Sequence, residues 1–171
     1  MSNKMYDYCE EGCGFVSLWL GNFKNENQLD DYLDTVYQDF DNETDSEFQQ
    51  RLNKLFLPEN ANRPCEQSFK ELFDEFYNQF EYDFGITHDE DFRERSYLDT
   101  SSSSISVLIG EHSYAETFIH YFVDLFKESL DKKYNTVILI YDCHYDGYVK
   151  QIHHDQFDVE FFGSVPFEKG E

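Results

Sequence analysis

Three small groups of residues in this chain have side chains that could do chemistry. Two of them are Cys9 with Cys13, which are four positions apart, and the adjacent imidazoles His153 and His154. Thiolates and imidazoles are zinc ligands, but a zinc site needs four that converge. No second cysteine pair lies at a suitable interval, and adjacent histidines on a strand would point to opposite faces. The pattern therefore favours N-terminal thiols and surface histidines over a metal site.

The third group is acidic: Asp83, Asp89, Glu90 and Asp91 lie close in sequence, with His88 among them. Such carboxylates could bind Mg²⁺ or act as general acid and base, as in a small metal-dependent hydrolase. A chain with 36 acidic residues in 171 also produces clusters of this kind without purpose, so a solvated turn or a partner-binding loop are the other interpretations. No EF-hand, P-loop, G-x-S-x-G or G-x-G-x-x-G motif is present. We predict no cofactor, no metal site and no catalytic residue.

Charge and aromatic content constrain the class of protein. The chain has 36 Asp and Glu against 13 Lys and Arg, a net charge of −23, yet 19% of it is aromatic. A chain this acidic with few aromatic residues would be disordered, whereas 18 Phe and 13 Tyr can build a core. The carboxylates must then cover a folded body, whose field repels nucleic acid and anionic lipid. The composition predicts a protein that captures a cationic surface.

Length and cysteine usage suggest one cytoplasmic domain. No apolar run approaches the ~20 residues of a membrane span, and the polar, acidic stretch from Met1 to Glu11 does not look like a secretory signal. We expect residues 1–13 to be a mobile arm and 14–171 to be a single domain, with 43–66 as a possible insertion. The cysteines are scattered and are expected to be reduced thiols, with a small Cys9–Cys13 loop as the alternative. They are Cys9, Cys13, Cys65 and Cys143.

Four capping boxes predict where helices begin, because each pairs a Ser, Thr or Asn with a Glu or Gln three residues later. Apolar residues recur behind each box at helical spacing and define a buried face. The last helix is expected to reach Leu130 and to be central, because it is apolar on more than one face. The boxes are Asn25 with Gln28, Thr44 with Glu47, Ser68 with Glu71 and Ser113 with Glu116, and the stripes span 29–40, 48–56, 69–80 and 118–126.

Short apolar or alternating runs predict the strands. The strongest is Thr136–Tyr141, which is apolar throughout and so should be buried on both faces. Helices and strands interleave, which predicts an α+β fold with a mixed β-sheet of four to five strands, packed by three to four amphipathic helices. The other predicted strands are Phe15–Leu20, Phe92–Leu98 at an edge, Ile105–Ile109 and Phe157–Phe162.

Four segments occur together in an order and spacing that chance similarity would not produce. They are Val16–Gly21 followed by Leu29–Leu33, Asp83–Ile86 followed by Asp89–Phe92, Ser113–Tyr114 opening the long helix, and Val137–Asp142. With these segments the chain resembles the immunity protein 22 family of bacterial polymorphic-toxin systems, from about Phe15 to Pro166. The resemblance implies a small cytoplasmic α+β protein that binds and neutralises a cognate toxin domain, and it brings no catalytic residues.

The favoured prediction is therefore a non-enzymatic immunity protein. It is expected to bind a basic toxin domain, such as a nuclease, and to block the active surface of that toxin. The hydrolase built on the Asp83–Asp91 loop is the alternative, and an acidic adaptor with another basic partner is a third. We expect no nucleic acid or membrane partner. Exposed acids and one aromatic anchor are the predicted contacts, because interface hot spots favour Tyr, Trp and Arg. These are Asp39, Asp41, Tyr82, Asp89, Glu90 and Asp91.

Overall fold

A single five-stranded sheet organises the protein. The computed structural model describes residues 8–35, 39–55, 78–147 and 149–169. The strand order is β2-β3-β1-β5-β4, and every pairing among these strands is antiparallel. The strands are β1 (Phe15–Asn22), β2 (Arg93–Ser104), β3 (Ser129–Tyr141), β4 (Gln151–His153) and β5 (Asp158–Pro166).

The helices that cover this sheet complete an α+β fold, as predicted. In the described residues they are α1 (Glu26–Leu33), α2 (Asp45–Leu55), α3 (Gln79–Phe84), α4 (Ile105–Ile109) and α5 (Ala115–Phe126). The expectation of a mixed sheet was wrong. Helices usually connect parallel strands, but β2 and β3, which two helices separate, pair antiparallel. Among the helices described, none is both long enough and apolar enough to cross a membrane.

Two of the predicted capping boxes are present. The Asn25 side chain accepts a hydrogen bond from the Gln28 amide at 2.8 Å. Thr44 accepts from the Glu47 amide at 3.1 Å, and the Glu47 carboxylate accepts from the Thr44 amide at 2.9 Å. Helix α1 nevertheless ends at Leu33, before the predicted stripe is complete. Three other predictions lie outside the described residues. They are the capping box at Ser68 and Glu71, the part of its apolar stripe up to residue 77, and the end of the second helix at Pro58.

The fourth box and one strand were predicted wrongly. The Ser113 hydroxyl bonds the Glu94 carboxylate on β2, so it does not cap a helix. Helix α5 starts after Tyr114 and ends at Phe126, because β3 begins at Ser129. The segment Ile105–Ile109 forms helix α4, since the Ser104 side chain caps it by accepting from the Val107 amide at 3.2 Å.

Both faces of the sheet are buried, because successive side chains of a strand point to opposite sides. On one face Trp19 and Ile138 pack against residues of α1 and α3. On the other face Leu18 and Leu139, which lie opposite each other in the β1–β3 pair, pack against α4 and α5. The prediction that the Thr136–Tyr141 segment is buried on both faces is confirmed.

Residues 8–13 are attached to the sheet through a disulfide and backbone hydrogen bonds. Cys9 forms a disulfide with Cys143, which corrects the expectation of reduced thiols and of a Cys9–Cys13 loop. The Glu10 amide donates to the Asp142 carbonyl at 3.0 Å, and the Tyr8 carbonyl accepts from the amide of residue 144. Cys13 is a free thiol. Residues 1–7 of the predicted arm lie outside the described part of the chain.

Candidate functional site

Three consecutive carboxylates, Asp89, Glu90 and Asp91, form an exposed turn that we call the acidic turn. Its backbone is a short 3-10 helix, capped by Asp89, whose carboxylate accepts from the Asp91 amide at 2.9 Å. Glu90 accepts a hydrogen bond from the Thr35 hydroxyl at 2.7 Å, which connects the turn to the end of α1. The turn therefore holds three negative charges in a defined position on the surface.

A buried chain of polar side chains supports the acidic turn from below. Helix α3 ends at Gly85, whose φ of 64° favours glycine and reverses the chain toward the turn. Glu81, which is 4% exposed, accepts from the His88 amide at 3.1 Å and lies 2.9 Å from Nδ1 of His88. Nη1 of Arg93 lies 3.0 Å from Nε2 of His88, and Nη2 lies 3.9 Å from Glu90. These contacts fix the backbone on both sides of the turn.

Two clefts flank the acidic turn. The first, of about 380 Å³, is lined by all three carboxylates of the turn together with Thr35 and Glu81. The second, of about 510 Å³, lies toward β3 and is lined by Asp89, Phe92 and Tyr141 among others. A basic side chain of a partner could enter either cleft and contact a carboxylate of the turn.

The predicted contact residues Asp39 and Asp41 are exposed in a separate turn. The carboxylate of Asp39 accepts from the Asp41 amide at 3.2 Å and from the Asn42 side chain at 3.0 Å. The Asp39 amide donates to Glu43 at 3.1 Å, so the turn is held by its own side chains.

Tyr82 is not available as an anchor for a partner. Tyr82 is only 6% exposed, and the other five residues of α3 are buried as well. The prediction of an exposed aromatic residue here was wrong, since a residue type does not reveal that both sides of a short helix are covered.

Asp83, Tyr32 and His154 form a buried network that the sequence did not suggest. Oδ2 of Asp83 accepts from the Tyr32 hydroxyl at 2.9 Å and lies 2.9 Å from Nε2 of His154. Oδ1 accepts from the Gln79 amide group at 2.7 Å. Burial raises the pKa of Asp83, while the hydrogen bonds from His154, Gln79 and Tyr32 act in the opposite direction. His154 is thus an interior residue, which corrects the expectation of a surface histidine.

This network separates Asp83 from the acidic turn. Its side chain is fully buried and bonded within the interior, whereas Asp89, Glu90 and Asp91 face solvent. The hydrolase alternative requires these carboxylates to converge, and their placement does not bring them together. Across residues 8–35, 39–55, 78–147 and 149–169, no group of three or more His, Cys, Asp or Glu side chains could hold a metal ion.

Comparison with known families gives a match over about two thirds of the chain. The family model described as Immunity protein 22 matches residues 55–168. The chain belongs to the Immunity protein 22 family. The match includes the acidic turn, α5 and β3, and it begins after β1 and α1, whereas the resemblance was expected to start near Phe15. Searches of curated proteins and of solved structures gave no match.

Membership of the Immunity protein 22 family gives this protein an immunity role, in which its partner is a toxin protein. The network around Asp83 is explained without substrate chemistry, because it joins α1, α3 and the segment between β4 and β5. In the acidic turn Asp89 caps the 3-10 helix and Glu90 bonds Thr35, yet all three residues remain exposed to a partner. The turn is therefore the best candidate for a site that contacts the partner.

Proposed function

We propose that this Immunity protein 22 family member neutralises a basic toxin domain by covering its active surface with carboxylates. The observation that carries the proposal is the acidic turn, where three exposed negative charges stand on a fixed backbone. A preformed turn loses little conformational entropy when it binds. Family membership supplies the class of partner, and the turn supplies a surface that suits a cationic one.

A nuclease is the toxin class that this charge fits best. An enzyme that cleaves nucleic acid must present Lys and Arg to a polyanion. A protein with a net charge of −23 competes for the same cations and attracts them over a distance. Electrostatic attraction of this kind raises association rates toward 10⁸–10⁹ M⁻¹s⁻¹ at low salt, as an order of magnitude. Rapid capture is useful when a single active toxin molecule is harmful.

The contact surface proposed for the toxin combines the acidic turn with the turn at Asp39 and Asp41. Both turns are exposed and acidic. The protein is proposed to act by binding alone, without turnover of a substrate. The interior position of Asp83 gives no support to the hydrolase alternative.

Co-expression with the toxin domain encoded beside this gene tests the proposal. The wild-type protein should restore growth of cells that produce the active toxin, and the purified pair should form a complex whose affinity falls as NaCl is added. The complex is measured with a catalytically inactive toxin so that both chains can be produced. Absence of both protection and binding would refute the immunity function for this pair. Binding that is insensitive to salt would refute the electrostatic part.

A further inference from the structure

Two distant parts of the chain place a carboxylate beside the same cleft. This cleft is the one of about 510 Å³ at the end of the sheet, where β2 begins and β3 ends. The acidic turn contributes Asp89 to its lining, and the segment of residues 8–13, which we call the strap, contributes Glu11. Both residues are exposed. The cleft therefore has acidic residues on the strap and on the acidic turn.

The strap holds Glu11 in a defined position. The disulfide between Cys9 and Cys143 fixes the strap two residues before Glu11. The Cys13 amide donates to the Glu10 carbonyl at 3.0 Å, which closes a turn that contains Glu11. A carboxylate on such a fixed backbone loses little conformational entropy when it binds a partner.

Aromatic residues form another part of the cleft lining. They are Phe92, which ends the acidic turn, and Tyr141, at the end of β3. The Tyr141 hydroxyl already donates to the Glu94 carboxylate at 2.9 Å, so its ring is the part that remains for another contact. Aromatic rings attract cations through their π electrons. Carboxylates combined with aromatic rings are typical of a pocket for Lys or Arg.

A cation of the protein itself already contacts this lining. Nζ of Lys169 lies 5.4 Å from the centre of the Phe92 ring and 2.8 Å from Oδ2 of Asp142. The hydrogen bond to Asp142 raises the pKa of Lys169, and the charge of Glu11 adds to this effect. The Lys169 side chain is 48% exposed, which places it at the rim. Its contacts show that the ring and the charges here attract an ammonium group.

The charges that line the cleft are left without a cation of their own. In the part of the chain that the structure describes, no Lys, Arg or His forms an ion pair with Glu11 or Asp89. His88 also lines the cleft, but its side chain is fully buried and contacts Glu81 and Arg93. The cleft therefore presents two carboxylates that a partner's cation can pair with.

We infer that this cleft receives one Lys or Arg side chain of the basic toxin domain, between Glu11 and Asp89 and against the Phe92 ring. The inference rests on the proposed function and adds a specific pocket to it. The acidic turn accelerates the encounter through its field, and the pocket then holds one cationic side chain by hydrogen bonds to the carboxylates and by contact with the ring. The strap thus becomes part of the binding surface.

Charge reversal at two adjacent residues of the strap tests the inference. Glu10 is exposed like Glu11 but does not line the cleft, so Glu10→Lys is a control with the same change in net charge. Glu11→Lys should bind the inactive toxin domain about 10- to 100-fold more weakly, because it brings like charges together. Glu10→Lys should weaken binding about threefold at most. Melting temperatures should be equal, since both residues are exposed.

Two substitutions of Phe92 test the aromatic contact. Phe92→Tyr keeps the ring and should release the toxin at the wild-type rate. Phe92→Leu keeps an apolar side chain without a ring, and dissociation should become about 3- to 10-fold faster. Equal dissociation rates of the two variants would overturn the contact between the toxin's cation and the ring.

Removal of the internal cation provides a test in the opposite direction. Lys169→Met should raise the affinity for the toxin severalfold, because the incoming side chain no longer meets a like charge near Phe92. Lys133→Met is the matched control, since Lys133 is exposed near the start of β3, away from the end that lines the cleft. Equal affinities of these two variants would overturn the placement of the toxin's cation beside Lys169.

The outcomes distinguish failure of this inference from failure of the proposed function. Wild-type binding and protection, with equal losses in Glu11→Lys and Glu10→Lys, would overturn the pocket alone and leave the acidic turn as the contact. A wild-type protein that neither binds nor protects would overturn the proposed function and the inference with it.

Discussion

Nε2 of His154 lies 2.9 Å from Oδ2 of Asp83, and both side chains are withdrawn from solvent. The two residues belong to different layers, because Asp83 is on α3 and His154 follows β4. Tyr32 of α1 donates to the same oxygen, so one carboxylate joins three parts of the structure. The network therefore stabilises the layer from which the acidic turn emerges.

Removal of the Asp83 carboxylate should be strongly destabilising. The variant Asp83→Ala leaves His154, Tyr32 and Gln79 buried without this partner, and each buried polar group left unsatisfied costs about 1–3 kcal/mol. The free energy of unfolding is measured by urea denaturation. Asp99→Ala removes an exposed acid as a control and should cost less than about 0.5 kcal/mol. Similar midpoints for the two variants would contradict a structural role for the network.

Local features of the fold could be predicted from the sequence, and distant contacts could not. The caps at Asn25 and Thr44 depend on a partner three residues away, so the sequence displays both halves of each contact. Asp83 and His154 are 71 positions apart, and Cys9 and Cys143 are 134 apart. Nothing in the spacing of such residues indicates that the fold brings them together.

The candidate site was predictable only where it depends on residues that are close together in the sequence. Three consecutive acids cannot easily be buried, and Asp89, Glu90 and Asp91 are exposed as expected. Their role in binding remains a prediction. The burial of Tyr82 and the exposure of Tyr121 depend on which helix faces the sheet covers, which helical periodicity alone does not determine. The five residues of α4, four of them apolar, fitted a strand equally well, because so short a run has no period to distinguish the two.

The centre of the sheet should respond to the loss of a single side chain. Leu139 is fully buried and lies opposite Leu18, so Leu139→Ala should cost about 2–5 kcal/mol through lost burial and the cavity that remains. Chemical denaturation measures the change. The same substitution at Leu125, which is 61% exposed, is the matched control and should leave the midpoint nearly unchanged. Equal shifts at the two positions would show that β3 is not the core strand.

The bond between Cys9 and Cys143 should make stability depend on reductant. It closes a loop with a sequence separation of 134, and constraining the unfolded chain in this way stabilises a protein by about 2–5 kcal/mol. Adding dithiothreitol should lower the free energy of unfolding of the wild type by an amount in that range. The variant Cys9→Ser should show no such dependence. Equal sensitivity of both proteins to reductant would mean that this bond does not form in solution.

Acid should remove the stabilisation that Asp142 provides. Burial alone would raise the pKa of Asp142, but the salt bridge from Lys169 at 2.8 Å and the amides of Gly12 and Gly14 outweigh it and hold the pKa below its usual value. Because the pKa of Asp142 is lower in the folded state than in the unfolded state, where it is about 3.9 for Asp, the ionised carboxylate stabilises the protein above that pH. This stabilisation is lost as the pH falls through the folded-state pKa.

Asp142→Asn isolates this contribution, because Asn also tolerates the φ of 54° at this position. The variant should be less stable than the wild type near neutral pH, and the difference should shrink as the pH is lowered from about 5 to about 2. Lys169→Met removes the cation and should reduce the same pH dependence. Denaturation curves at each pH provide the measurement, and a difference that stays constant with pH would contradict the assignment.

The acidic turn should control how fast the toxin is captured. Replacing Asp89, Glu90 and Asp91 together with Ser lowers the negative charge by three, and Ser at position 89 can still cap the 3-10 helix. If the turn lies at the rim of the interface, association should slow at low salt while dissociation stays the same, and the difference should fade as NaCl screens the charges. Surface plasmon resonance against the inactive toxin domain at two salt concentrations separates the two rates.

A second triple variant makes this test specific to the turn. Asp99, Asp146 and Asp155 are exposed elsewhere on the molecule, so replacing them with Ser changes the net charge equally without touching the acidic turn. Slower association in the turn variant alone would indicate a local contribution, because the net charge is matched. Faster dissociation of the turn variant would instead place its carboxylates against toxin Arg or Lys, with a loss of about 2–5 kcal/mol per desolvated pair. Identical kinetics of the two variants, together with full protection in co-expression, would remove the acidic turn from the interface.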